Sequence, residues 1–141
     1  MAGGAGVIAL VPEFPPNYAD IVAAIPAVAG MRPIFAWGDL VYNPHGLAVD
    51  AHLLAHESVH GGQHAAEGGP AAWWALYLAD PEFRVRQEVE AYRRQLASFA
   101  ATTRDRERRH GYCWGLAGHL SSPLYGGLLT RQRAYALISR R

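Results

Sequence analysis

The sequence predicts a small α+β domain, a short N-terminal sheet followed by a helical half. Three observations carry this expectation. Apolar runs in the first third are short and broken by proline or glycine, as strands and turns are. Beyond residue 50 the stretches between breakers lengthen and carry helix-cap signals at their starts. The 141 residues are the usual size of one domain, and half are hydrophobic, enough for one substantial core.

Taken in order, GVIALV (6–11) reads as a short buried strand, and PEFPP breaks the chain after it. Asn17 is placed to cap a helix through YADIVAAIPAVAG, with Gly30 as its stop and Pro26 keeping it short or kinked. RPIFAWGDLVYNP reads as two extended pieces around Gly38-Asp39, a hairpin. A helix from about Asp50 to Ala66 is ended by Glu67-Gly68-Gly69-Pro70, and AAWWALYLA forms a brief apolar helix. Asp80-Pro81 pairs an N-cap with proline at the first helical position and opens a long helix to about Thr103. RDRERRH reads as a charged, solvated helix end in which acids interrupt any basic patch, and GYCWGLAGH fits no single element. Ser122-Pro123 opens a last helical region through about Ser139.

The formal charge of +1 gives no case for a nucleic-acid or anionic-membrane partner, and the thirteen basic residues, all arginine, read as composition bias. Cys113 is the one cysteine, which suits a reducing compartment, and a buried small hydrophobe is its simplest role. MAGGAGVIALVPEF lacks a basic n-region and makes a poor signal peptide, and no stretch approaches the roughly 18 apolar residues of a membrane span. The expectation is a soluble cytoplasmic protein.

Residues 56–64 read HESVHGGQH. On a helix His60 lies about 40° from His56 and one turn along, so both imidazoles point the same way and suit one ion bound at about 2.1 Å. Glu57 lies about 100° round, at the edge of that face, where it can take a proton from a metal-bound water without ligating the metal. His52, Gln63 and His64 extend the stripe. The two outer histidines lie too far along the axis to share the ion and read as cleft lining or as groups that orient the ligands. Gly61 and Gly62 weaken the helix by about 1 kcal/mol each relative to alanine, which close packing there would explain.

The H-E-x-x-H-x-x-G-x-x-H pattern fails, because Gln63 and Ala66 hold the glycine and last histidine positions. HESVH followed by QEVEAY (87–92) resembles instead a gluzincin metallopeptidase, with an HExxH helix and a later E-x-x-A-D/Y helix. The CaaX-prenyl endopeptidase type and the ImmA/IrrE-type peptidases share that arrangement. The compact WW–Y–DPEFR–QEVEAY layout is similar to minimal gluzincin-like proteins of phage and bacterial genes. The motif-bearing part covers about residues 50–96.

The resemblance implies a zincin-like domain with Zn2+ held by His56, His60 and Glu88, and Glu57 as general base. It implies a peptide or protein substrate. The aspartate that often ends the family's E-x-x-A-D pattern is Tyr92 here.

The helical wheel agrees on Glu88. With Glu88 at zero, Val85, Val89, Tyr92, Leu96 and Phe99 share its apolar side. Glu90 falls at about 200°, among Arg86, Arg93 and Arg94, where surface ion pairs are its natural role. Arg84, four residues before Glu88, is placed to pair with it or with another buried carboxylate. Trp73, Trp74 and Tyr77 read as core packing against the histidine helix, with a substrate-side-chain pocket as the other role.

Candidate oxyanion donors are His110, Tyr112, His119 and Tyr125, and spacing does not choose among them. The leading expectation is a zinc-dependent peptidase, with an extended substrate added as a strand to Ile34–Trp37 or Leu40–Tyr42. The rival is a zinc-bound structural or assembly module of little or no activity, its fourth position filled by His64 or Cys113. A third reading is metal-assisted hydrolysis of a non-peptide amide.

Overall fold

The computed structural model describes residues 8–140 and is α+β, mostly helical. A three-stranded sheet comprises β1 (Ala9–Val11), β2 (Phe35–Trp37) and β3 (Leu40–Tyr42), in the order β1-β3-β2. β3 pairs parallel with β1 and antiparallel with β2. Six helices accompany the sheet: α1 (Tyr18–Ala24), α2 (Ala51–Ala66), α3 (Pro70–Ala79), α4 (Pro81–Ala100), α5 (Arg106–Leu120) and α6 (Arg131–Ser139). Among the described residues no helix is long and apolar enough to cross a membrane. The poor signal-peptide reading rests partly on residues 1–7, which lie outside the described residues.

The expected hairpin forms about Gly38-Asp39, with Trp37 opposite Leu40. Gly38 has φ +63°, a conformation that strains any side chain with a Cβ. β1 departs from expectation: it is an edge strand, paired among the described residues with β3 alone, and Leu10 is half exposed. Asn17 stands before α1, but its side chain makes no cap bond. Pro26 shortens α1 as expected, and the chain passes into a 3-10 turn over Pro26–Gly30.

Four helices start on side-chain caps. Asp50 accepts from Leu53 N–H, Asp80 from Glu82 and Phe83, Asp105 from Glu107 and Arg108, and Thr130 from Arg133. Each such cap is worth about 1 kcal/mol. Asp105 opens α5, so most of RDRERRH is the solvated helix end expected of it, and the helix continues through the unassigned GYCWGLAGH. The last region is also divided. A 3-10 turn over Pro123–Tyr125 ends at Gly126-Gly127, both with positive φ, before α6 begins.

Two cores result. Ile21, Val28, Phe35, Trp73 and Phe83 join α1, the sheet, α3 and the start of α4. Val89, Cys113, Leu116, Leu120 and Ile138 join α4, α5 and α6. Each fully buried aliphatic side chain of this kind contributes about 1.5–3 kcal/mol. Tyr125 packs against both cores, and the polar residues of α2 lie between them.

Candidate metal centre

α2 presents its polar stripe inward. His56, Glu57, His60, Gln63 and His64 are all buried. α2 is held against the sheet at the hairpin, where Gly38 N–H donates to His64 Nδ1 at 2.9 Å. A Cβ on Gly61 would meet the Gly38 carbonyl oxygen at 3.0 Å, so glycine is what permits the approach. α4 lies along the other side of α2 and brings Glu88, 4 % exposed, to the two imidazoles.

The three donor atoms nearly form an equilateral triangle. His56 Nε2 is 3.2 Å from His60 Nε2 and 3.2 Å from Glu88 Oε1, and His60 Nε2 is 3.3 Å from Glu88 Oε1. Ligands about 2.0–2.1 Å from a tetrahedral zinc stand about 3.4 Å apart, so the triangle has the right size. Glu88 Oε1 is buried and makes no well-aligned hydrogen bond to either imidazole. A buried carboxylate oxygen without such a partner fits an ion in the common space before the three atoms. His56, Glu57 and His60 also bring one atom each within 4.8 Å of one another. Glu57 Oε2, however, stands 3.7 Å from His56 Nε2, farther than Glu88 does, and we assign the third ligand position to Glu88.

Surrounding groups fix two of the three donors, Glu88 and His60. Tyr77 O–H donates to Glu88 Oε2 at 2.7 Å, which leaves Oε1 facing the histidines. Gln63 Nε2 donates to the Gln87 carbonyl and to Glu90 Oε1, so Gln63 Oε1 faces His60 Nδ1 at 2.8 Å. His60 Nδ1–H must therefore be the donor there, and Nε2 is directed at the site. Glu90 thus acts through Gln63 on His60, where surface ion pairs with arginines were expected. Arg84 departs too. Its guanidinium donates to the carbonyls of Tyr77, Leu78 and Tyr125 and, among the described residues, pairs with no carboxylate, because carbonyls at the end of α3 and of Tyr125 reach it first. It ties α3 and the 123–125 turn to α4.

The charges of the site act strongly on one another. Burial pulls the His60 imidazole down, but the Glu88 carboxylate beside it overcomes this and lifts its pKa to about 9. Burial raises Glu88, yet His60 and His56 outweigh it and hold the carboxyl well below its ordinary range. Burial raises Glu57, opposed by the two histidines. Burial first, and Glu88 second, push the Tyr77, Tyr92 and Tyr125 hydroxyls well above 10, so all three remain donors.

Two spaces open on His56 and Glu57. A narrow one of about 50 Å³ also touches His60, Glu88, Trp74 and Tyr77. A wider groove of about 530 Å³ runs from His56 and Glu57 between residues 31–34 and α5. Tyr125 lines both, and its hydroxyl bonds that of Tyr92 at 2.7 Å. Tyr112 and His119 line only the groove, while His110 is bonded to Tyr135 and borders a separate surface hollow.

The outer histidines take fold roles rather than cleft-lining ones. His52 bonds Ser98 and packs edge-on against Tyr112, and His64 holds Gly38. Cys113 lies in the second core with its thiol pushed up to about 11 by burial. Trp73, Trp74 and Tyr77 are core residues that also wall the narrow space.

β3, between β1 and β2, has both edges paired and cannot accept a further strand. β2 is an edge strand, but its Ala36 carbonyl already accepts from Trp74 Nε1. Comparison with protein-family models, curated proteins and solved structures found no match.

Proposed function

We propose that this chain is a zinc-dependent metallopeptidase of gluzincin type on a minimal zincin-like fold, working in the cytoplasm on a peptide or protein substrate. The observation that carries the reading is the His56–His60–Glu88 triangle, of zinc size, with the Glu57 carboxylate beside it. A zinc ion there would polarise the scissile carbonyl and lower the pKa of the attacking water.

Glu57 accepts the proton of that water and passes it to the leaving amine. Burial, which raises its pKa, makes the carboxylate a stronger base for the first transfer. Tyr125, held by the Tyr92 hydroxyl and kept protonated, donates to the oxyanion developing on the substrate. Tyr77 and Gln63 hold Glu88 and His60 in place without touching the substrate.

The engagement of His64 with Gly38 and of Cys113 with the second core supports an enzyme over a structural zinc module, since neither side chain is free to close the site. The groove beside Glu57 supports it further. The test is metal analysis followed by proteomic cleavage profiling of the wild type against Glu57→Gln. One zinc per chain with cleavage only in the wild type is the expected result. Zinc with no cleavage by either would leave the structural module, and no zinc would end both readings.

A further inference from the structure

α5 carries three glycines that line up differently with their surroundings. A Cβ on Gly118 would meet the Arg131 guanidinium at 3.2 Å, so packing explains that glycine. A Cβ on Gly111 or Gly115 would meet nothing within 4 Å, and neither has a positive φ. Glycine is the least favoured helix residue after proline, so both positions weaken α5 with no return in packing or backbone freedom. One turn apart, they form part of the wall of the groove that reaches Glu57. Gly62 in α2 is also unneeded by its surroundings, but it is exposed and lines neither of the two spaces at Glu57.

A second observation comes from α4. Gln95 lines the same groove and is 7 % exposed. Its Nε2 donates to the Tyr112 hydroxyl, while its Oε1 is buried with no partner. Leaving a buried acceptor unpaired is unfavourable, so the oxygen calls for an N–H or O–H donor. Ile34, Leu53, Leu116 and Leu124 make much of the remaining wall apolar, and Arg32 and His119 also line it. A hydrocarbon ligand would leave Gln95 unpaired. A peptide offers both things needed: backbone N–H groups and an apolar side chain.

We propose that the groove is a substrate-binding subsite for an extended peptide. A bulky apolar side chain lies over Gly111 and Gly115, and a backbone N–H donates to Gln95 Oε1. This deepens the peptidase reading and rests on it for the role of Glu57. Gly111 and Gly115 set the size of side chain accepted, and Gln95 positions the backbone.

The test is a binding measurement separate from turnover. The protein carries Glu57→Gln throughout and is loaded with zinc. The probes are fluorescein-labelled heptapeptides of alanine with a central leucine or a central aspartate, read by anisotropy. The leucine peptide should bind at least tenfold tighter than the aspartate peptide. Adding Gly115→Leu should weaken it at least tenfold, and Gln95→Leu about five- to tenfold. Gly115→Ala should raise the melting temperature by about 3 °C, because alanine favours helix.

Three results would overturn the subsite: no binding of either peptide, equal affinity for both, or unchanged affinity in Gly115→Leu. A melting temperature lowered by more than about 5 °C in Gly115→Leu would overturn the open-groove premise itself. Cleavage by the wild type with a silent Gly115 would leave the peptidase standing without the subsite. Tight leucine-peptide binding without cleavage would do the reverse.

Discussion

Replacing Glu88 by glutamine should lower zinc affinity by about two to three orders of magnitude. Glutamine keeps the size of the side chain, but its amide oxygen is neutral and a far weaker ligand. The structure sets the magnitude. Glu88 Oε1 is one of three atoms about 3.2–3.3 Å apart, and the other two come from one turn of α2. Structural zinc sites with four ligands bind with about 10–16 kcal/mol, or about 2.5–4 kcal/mol per ligand. At about 1.4 kcal/mol per tenfold, losing one ligand costs a factor of about 60 to 700.

Glu90→Gln should behave differently. Glu90 acts through Gln63 on His60, and support of that kind is worth about 10–100-fold. Tyr77→Phe, which frees Glu88 Oε2, belongs in the same range. Affinities come from competition against a chromophoric zinc chelator at fixed pH. Melting temperatures with and without zinc provide the check, since zinc should raise that of the wild type and of Glu90→Gln. A Glu88→Gln variant that binds within tenfold of the wild type, or a Glu90→Gln variant weaker than it, would refute the assignment.

Glu57→Gln should retain zinc and lose about 10²–10⁴-fold in hydrolysis, measured on any peptide the wild type cleaves; an equal rate would remove Glu57 as the base. Metal-free protein should show a stability limb set by His60. Its folded pKa of about 9 lies above the ordinary 6.5, so its contribution is complete below pH 6.5 and is lost as pH rises through 9. Melting temperatures should fall across that window, and Glu88→Gln should flatten the fall; an unchanged slope would show that Glu88 does not set it. Gly61→Ala should destabilise by about 1–3 kcal/mol, because its Cβ meets the Gly38 carbonyl oxygen at 3.0 Å. Gly62→Ala, next along α2 and free of contacts, should stabilise by about 1 kcal/mol in urea unfolding. The same sign for both would contradict the close approach of α2 to the hairpin.

The net charge of +1 conceals a segregation that the sequence itself displays. Residues 93–141 hold ten of the thirteen arginines and two of the twelve acids, whereas residues 1–92 hold three arginines and ten acids. Among the described residues the three ion pairs all involve histidine, and no arginine pairs with a carboxylate. Net charge therefore does not by itself exclude an anionic partner for the arginine-rich end, and a count by halves would have found this.

The sequence by itself determined what local periodicity and capping determine. His56 and His60 share a face because a helix turns 100° per residue, and Asp50 and Asp80 cap because a short acceptor reaches the first free N–H groups. The same periodicity put Glu88 on the inner side of its helix and Glu90 off it. Tertiary structure decided whatever depends on groups far apart in the chain. Arg84 was close to Glu88 in sequence, but carbonyls of α3 and of residue 125 reached it first. Glu90 faced arginines on its own helix, yet Gln63, 27 residues earlier, became its partner. Gln95, Gly111 and Gly115 carried no signal at all, because a groove exists only where two elements fail to meet. Hydrogen bonds and open space are properties of distance in three dimensions, and helical spacing fixes distance only within one element.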